Sequence, residues 1–193
     1  MQLKLYLIII FICALIGSIT ISLVYDILFF LVFAVMILGI IIVIIVDGIT
    51  AALCRMLPKK LANYQSKIYL VSKKEKNFYE KIKIRKWKEK IPEIGHFTGF
   101  RKNKITDHKN PDYIERFLYE ISYGEIGHFI SVFTGFLLLL IPWFKPFWLF
   151  TAIFIAVVNG ILNLLPLIVL RYNSYTLLLI LKRLKRQNKT SNG

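Results

Sequence analysis

Acidic side chains are scarce in this chain: 11 Asp or Glu stand against 26 Lys or Arg, for a formal charge of +15. Cysteine is scarcer still, with only Cys13 and Cys54, which supports neither a disulfide framework nor a zinc site with cysteine ligands. Both read as small apolar fillers. The sequence holds no P-loop, no dinucleotide-binding glycine fingerprint, no HExxH and no GxSxG, so the chemistries those motifs carry find no support. Charge is also missing from long stretches. Lys4 is the one charged residue from Leu3 to Val24, and there is none from Ile27 to Val46 or from Phe147 to Leu170.

What is present is apolar. Hydrophobic residues make up 56% of the 193 residues, and the mean hydropathy is +0.60. About 20 apolar residues at roughly 1.5 Å each cross the roughly 30 Å hydrocarbon core of a bilayer. The sequence therefore predicts an all-α integral membrane protein with about four transmembrane helices, near 3–24, 27–46, 126–144 and 147–170, arranged as two hairpins. Tyr25 and Asp26 break the first pair; Lys145 and Pro146 break the second, where Pro142 also allows a re-entrant hairpin. Residues 1–24 are too long and too lightly charged for a cleaved signal peptide, and a second span follows at once.

The domain plan is 1–54, an N-terminal hairpin; 55–124, a basic cytosolic or interfacial segment; 125–174, a C-terminal hairpin; and 175–193, a basic tail. Between Arg55 and Arg116 there are eighteen Lys or Arg against seven acids, and the tail adds five cations with no acid. Excess Lys and Arg marks the cytoplasmic side, so a multi-pass cell-membrane protein with both termini in the cytoplasm is expected. With spans on either side, the basic run is read as facing lipid or water rather than nucleic acid. From Leu57 to Glu89, Lys mixes with Ile, Tyr and Phe in the manner of an interfacial amphipathic helix, although Lys81–Arg85 also alternates like a short strand. Pro92 ends that element, and Gly95 and Gly99 make the next stretch irregular. Asn110 before Pro111 marks a helix start, able to run on into the third span past Gly124 and Gly127.

Glu125 and His128 lie one helical turn apart, about 4.5 Å along the axis, at the start of that span. Ionisable groups in a span cost roughly 2.5–3.5 kcal/mol and so face a partner or a cavity. In an antiparallel hairpin, Asn163, Arg171, Tyr172 and Asn173 come to the same cytosolic end, and Pro166 frees the carbonyl of Leu162 beside Asn163. This set suits group transfer to a hydroxyl. His128 serves as general base, Glu125 orients its ring, and Asn163 holds a carbonyl or the acceptor hydroxyl. Arg171 and the Arg85-Lys86-Trp87-Lys88 cluster hold a phosphate. Each has a plainer reading: an interfacial pair for Glu125/His128, an interhelical hydrogen bond for Asn163, a snorkelling anchor for Arg171, a belt aromatic for Trp87 and surface histidines for His96 and His108. Two ligands do not make a metal site, and none is assigned.

Arg85-Lys86-Trp87-Lys88, Gly95, Glu125-x-x-His128, Asn163, Arg171-Tyr172-Asn173 and Leu181-Lys182-Arg183 follow one another in this order. The ordered set, over about Phe78 to Arg186, resembles the glycosyl-4,4′-diaponeurosporenoate acyltransferase family of carotenoid biosynthesis, with Ser174 where the family pattern continues with Arg. The resemblance implies a transferase that esterifies a sugar hydroxyl of a carotenoid glucoside or similar glycosylated lipid with a fatty acyl group. It further implies His128 and Glu125 as the catalytic pair, with Asn163 and Arg171-Tyr172-Asn173 lining the site. No cofactor is expected beyond the donor substrate, acyl-CoA or another acyl thioester. The expected partners are membrane lipids, that donor and the glycoside acceptor. The alternative is a non-enzymatic membrane scaffold or partner subunit that binds anionic lipid through the basic segment.

Overall fold

The computed structural model describes residues 2–91, 107, 109–141 and 146–191. Pro92, Gly95, His96, Gly99, His108, Pro142 and Lys145 lie outside the described residues. Among these residues six α-helices follow in order: α1 (Gln2–Tyr25), α2 (Phe29–Met56), α3 (Lys73–Lys81), α4 (Ile84–Trp87), α5 (Pro111–Thr134) and α6 (Pro146–Ser191). Short 3-10 turns follow α4 at Lys88–Lys90 and α5 at Gly135–Leu140. Among the described residues there is no strand, so the alternation at Lys81–Arg85 does not mark one.

Four helical stretches are long and apolar enough to cross a bilayer: Lys4–Tyr25, Phe29–Met56, Pro111–Leu140 and Pro146–Asn188. Large apolar side chains face outward, among them Leu23 at 78% and Phe30 at 74% exposure, while Ser18 and Thr151 are fully buried. That inversion of the usual soluble pattern is what a lipid surround favours, since polar groups there need partners inside the protein. The chain is an all-helical membrane protein.

Three helices run past the boundaries expected from hydropathy. The second span continues through Asp47 to Met56, because Gly48–Leu53 is again apolar. The fourth continues through Arg171, with Pro166 inside it. The helix starting at Pro111 does carry on through Gly124 and Gly127 to Thr134. Its start is capped as expected: Asn110 Oδ1 accepts from the backbone N–H of Asp112 at 3.0 Å and of Tyr113 at 3.2 Å, satisfying donors that have no partner within the helix.

The segment expected to form one interfacial helix is divided. Ser72 caps α3 by accepting from the backbone N–H of Glu75 at 3.1 Å. Lys83 then turns left-handed with φ 56 before α4, which breaks the helical run between two short pieces.

The chain forms two compact units: Met1–Leu53 with Gly127–Leu165, and Cys54–Ile126 with Pro166–Gly193. In the first, Val32, Met36 and Val43 of α2 pack with Ala14 and Ile21 of α1, and with Trp148, Ala152 and Ile155 of α6. These sit at helical spacings, so each helix presents one stripe inward. Close approach at one point requires glycine: a Cβ on Gly135 would lie 2.7 Å from the Cα of Ala156. Small residues let backbones come together in this way, and the contact sets Thr134 beside the α6 turn that carries Asn159. In the second unit, Ile114, Phe117, Leu118 and Ile121 of α5 form one stripe against Leu170, Leu177 and Leu181 of α6, with Tyr64 beside them. Cys13 and Cys54 are free thiols, half-buried and buried respectively.

Candidate functional site

In the first unit, polar side chains from three helices join into one hydrogen-bonded chain. Asn163 and Asn159 stand one turn apart on α6. Asn163 Nδ2 donates to the backbone carbonyl of Asn159 at 3.2 Å, to Asn159 Oδ1 at 3.1 Å and to Asp47 Oδ2 at 2.9 Å. A backbone carbonyl only accepts, so this end of the amide is the NH2 end. The other end, Oδ1, lies 3.0 Å from His128 Nδ1. An amide oxygen also only accepts, so His128 Nδ1 carries the proton and Nε2 is the acceptor nitrogen of the neutral ring.

The chain is anchored beyond His128 as well. The Thr134 hydroxyl donates to Asp47 Oδ1. Asn159 Nδ2 donates to the carbonyl of Ser131 at 2.9 Å and to Thr134 Oγ1 at 3.2 Å. Every amide in the chain is thus tied to at least one backbone or hydroxyl group, which fixes its orientation. An imidazole whose Nδ1–H is held by an amide oxygen has Nε2 as its acceptor nitrogen, the tautomer that taking a proton at Nε2 requires.

The second unit gathers the other residues singled out from sequence. Arg171 binds Glu75 through two parallel bonds, Nε to Oε1 at 2.5 Å and Nη2 to Oε2 at 3.1 Å. Its Nη1 reaches Glu125 Oε2 at 3.1 Å and the carbonyl of Ile68 at 3.1 Å. Glu125 is buried at 4% exposure, and its Oε1 has no hydrogen-bond partner among the described residues. The Tyr79 hydroxyl donates to Glu75 Oε1 at 2.5 Å. Burial pushes the Glu75 carboxyl up, but the Arg171 and Tyr79 hydrogen bonds outweigh it and hold the group below the usual range. Burial, together with the bond to Glu75, drives the Tyr79 hydroxyl well above its ordinary value.

The Arg85-Lys86-Trp87-Lys88 cluster and the Arg171-Tyr172-Asn173 triplet meet in this unit. Arg85 Nε donates to the Tyr172 hydroxyl at 2.9 Å, and Arg85 Nη2 pairs with Glu80 at 2.8 Å. Tyr172 and Glu80 together hold the Arg85 guanidinium above its ordinary value. Lys88 Nζ donates to Asn173 Oδ1 at 3.3 Å and sits 5.5 Å from the Tyr172 ring centre. Trp87 Nε1 donates to the carbonyl of Ile82 at 3.0 Å, pinning the indole to its own segment. Lys86 is exposed.

Asn163 holds the His128 ring, and Arg171 holds Glu125. The i, i+3 spacing put both side chains on one face of α5, but each bonds to a different turn of α6. Arg171 is an ion-pair hub with two carboxylates rather than a snorkelling anchor.

Asp47, Asn159 and Thr134 did not stand out in the sequence, nor did Glu75 and Tyr79. Asn159 and Asn163 form an i, i+4 pair, and Ser72-x-x-Glu75 is a capping box; both signals are readable. Asp47 is a lone carboxyl between two apolar stretches, and it reads as a span end unless the second stretch is counted.

The sequence profile of the glycosyl-4,4′-diaponeurosporenoate acyltransferase family matches residues 60–183. Comparison with characterised proteins and with solved structures gave no match.

Proposed function

Because the chain belongs to the glycosyl-4,4′-diaponeurosporenoate acyltransferase family, and so to the acyltransferases, we propose that it esterifies a hydroxyl of a glycosylated lipid with a fatty acyl group, with His128 as the general base. The acceptor class is a carotenoid glucoside or a close relative, taken from the family's name. The observation that carries the base assignment is the 3.0 Å bond between His128 Nδ1 and Asn163 Oδ1.

The reaction then follows from the ring's protonation state. Nε2 of neutral His128 takes the proton of the acceptor hydroxyl as its oxygen attacks the thioester carbonyl of the donor. The tetrahedral intermediate collapses with loss of the thiolate. The imidazolium returns its proton to that sulfur, so ester and free thiol leave and the histidine is neutral again. Asn163 keeps the ring in the productive tautomer throughout, and Asp47 keeps Asn163 in place. Glu125 lies one turn from His128 on α5 and pairs with Arg171 at 3.1 Å.

The basic side chains of the second unit suit an anionic group on the donor. Asn173 and Tyr172 orient Lys88 and Arg85, each of which also pairs with a glutamate, Glu89 at 3.9 Å and Glu80 at 2.8 Å. Lys86 adds an exposed charge, and Trp87 an amphipathic ring. A phosphate on coenzyme A or on a lipid headgroup meets the same chemistry. Acyl thioesters are made in the cytosol, so the proposal places the basic segment and both termini on the cytoplasmic side of the cell membrane.

A lipid and pigment mass profile of cells with and without the intact gene, with His128→Ala alongside, tests this reading. A glycoside that gains one fatty acyl mass only with the intact protein is the expected result. No acyl-linked difference, with His128→Ala behaving as the intact protein does, would favour the lipid-binding scaffold.

A further inference from the structure

Within the first unit, α1, α2 and α6 line a half-open apolar cleft with an interior volume of about 40 Å³. Its α6 wall runs from Phe154 to Leu162, about 12 Å along the helix. Asn159 is its one strongly polar side chain. That residue accepts from Asn163 Nδ2 at 3.1 Å, and Asn163 Oδ1 meets His128 Nδ1 at 3.0 Å, so the cleft wall is two hydrogen bonds from the proposed base. At one end Phe154 and Met36 pack closely against Gly17, where a Cβ would lie 2.7 Å from Phe154 Cε1 and 3.0 Å from Met36 Cε. On one side stands Ile44, 53% exposed on the lipid-facing surface.

We infer that this cleft binds the fatty acyl chain of the donor, with its carbonyl end toward Asn159 and its tail toward Phe154 and Met36. The inference rests on the proposed acyl transfer and adds to it a binding site for the chain. An apolar wall with one polar group beside the reactive residues is the usual make-up of such a site. Phe154 and Met36, packed on Gly17, act as the stop that limits chain length. The α1 and α2 walls, including Cys13, Met36 and Ile40, precede residue 60 and lie outside the family match. Acyl preference is therefore set by a part of the chain that the family pattern does not cover.

Two measurements on the full chain in detergent test the inference. In the first, a palmitate analogue with a terminal diazirine is photolysed with the protein, and its adducts are mapped by mass spectrometry. Adducts at the Phe154–Met36 end, displaced by palmitoyl-CoA and reduced about fivefold or more by Cys13→Phe, are expected. Adducts confined to lipid-facing residues such as Leu23 and Phe30, with no displacement, would mean a bilayer lipid's position only and overturn it.

The second measurement is ester yield across donors of graded length. Phe154→Ala should move the optimum to longer chains and Cys13→Phe to shorter ones, each misfit methylene costing about tenfold or more. Ester formation with an unmoved optimum in both variants would overturn the cleft and leave the acyl transfer reading intact. Specific cleft labelling by a protein that forms no ester would support the cleft and count against that reading.

Discussion

Asn163 Oδ1 faces His128 Nδ1 at 3.0 Å, while Asn163 Nδ2 is held by the backbone carbonyl of Asn159 at 3.2 Å. The second bond fixes which end of the amide meets the histidine. A backbone carbonyl on α6 thereby decides which nitrogen of a ring on α5 can take a proton. This is a property of helix geometry, and each variant below perturbs one link of it.

Asn163→Leu keeps the volume roughly constant and removes the acceptor. The His128 ring then loses its hold on the Nδ1–H tautomer. Turnover should fall about 100-fold, with KM changed much less, since general base catalysis contributes roughly 10²–10⁴-fold. Steady-state kinetics on the purified protein measure this split; a rise in KM alone would assign Asn163 to binding.

Asp47 acts one bond further out. Asp47→Leu removes the acceptor for Asn163 Nδ2 and for the Thr134 hydroxyl, whereas Asp47→Asn keeps one acceptor oxygen. One hydrogen bond is worth about 1–1.5 kcal/mol, or roughly tenfold in rate. Asp47→Leu should therefore slow turnover about tenfold and Asp47→Asn clearly less. Equal losses in the two variants would point to the carboxyl's charge.

Arg171 holds two carboxylates, one of them buried. Arg171→Ala leaves Glu125 uncompensated, and breaking such a pair costs about 3 kcal/mol or more. Arg171→Lys keeps the charge but cannot form the two parallel bonds to Glu75, so it should recover only part of the loss. Thermal unfolding in a fixed detergent ranks the three proteins.

Acid stability should depend on Glu75. Its folded carboxyl lies below the ordinary value of 4.5 because Arg171 and Tyr79 outweigh burial. The ion pair therefore contributes fully above that value, and its contribution is lost as pH falls through the lower folded value. Unfolding midpoints measured downward from about pH 6 should drop less steeply for Glu75→Gln than for the parent protein.

If Arg85, Lys86 and Lys88 receive an anionic donor, changing each to Gln should raise KM for acyl-CoA and leave turnover nearly as it was. The parent KM should itself rise with salt, since exposed charges are screened beyond about 8–10 Å at physiological ionic strength. A KM indifferent to both changes would remove the donor phosphate from this surface.

Spans and membrane class were legible in the sequence because apolar runs without charge have one physical outcome. Asn110-Pro111 marked the start of α5 for an equally local reason: side-chain capping and a proline suited to the first turn. Pairing was not local. Glu125 and His128 share a face, yet their partners lie far along the chain: Arg171 is 46 positions from Glu125 and Asn163 is 35 from His128. The contacts of Arg85 with Tyr172 and of Lys88 with Asn173 bring together two motifs that the sequence could only place in order. Asp47 was hidden because a single carboxyl in an apolar stretch looks like an end, whereas here the helix runs through it.

The most direct test of the account is ester formation by the purified protein in lipid vesicles, using a radiolabelled acyl thioester and a glycolipid acceptor. His128→Ala is compared with the parent protein at equal membrane content and similar unfolding midpoint. A loss of about 100-fold or more in initial rate is expected. Ester formation by His128→Ala within about twofold of the parent rate would contradict the general-base role.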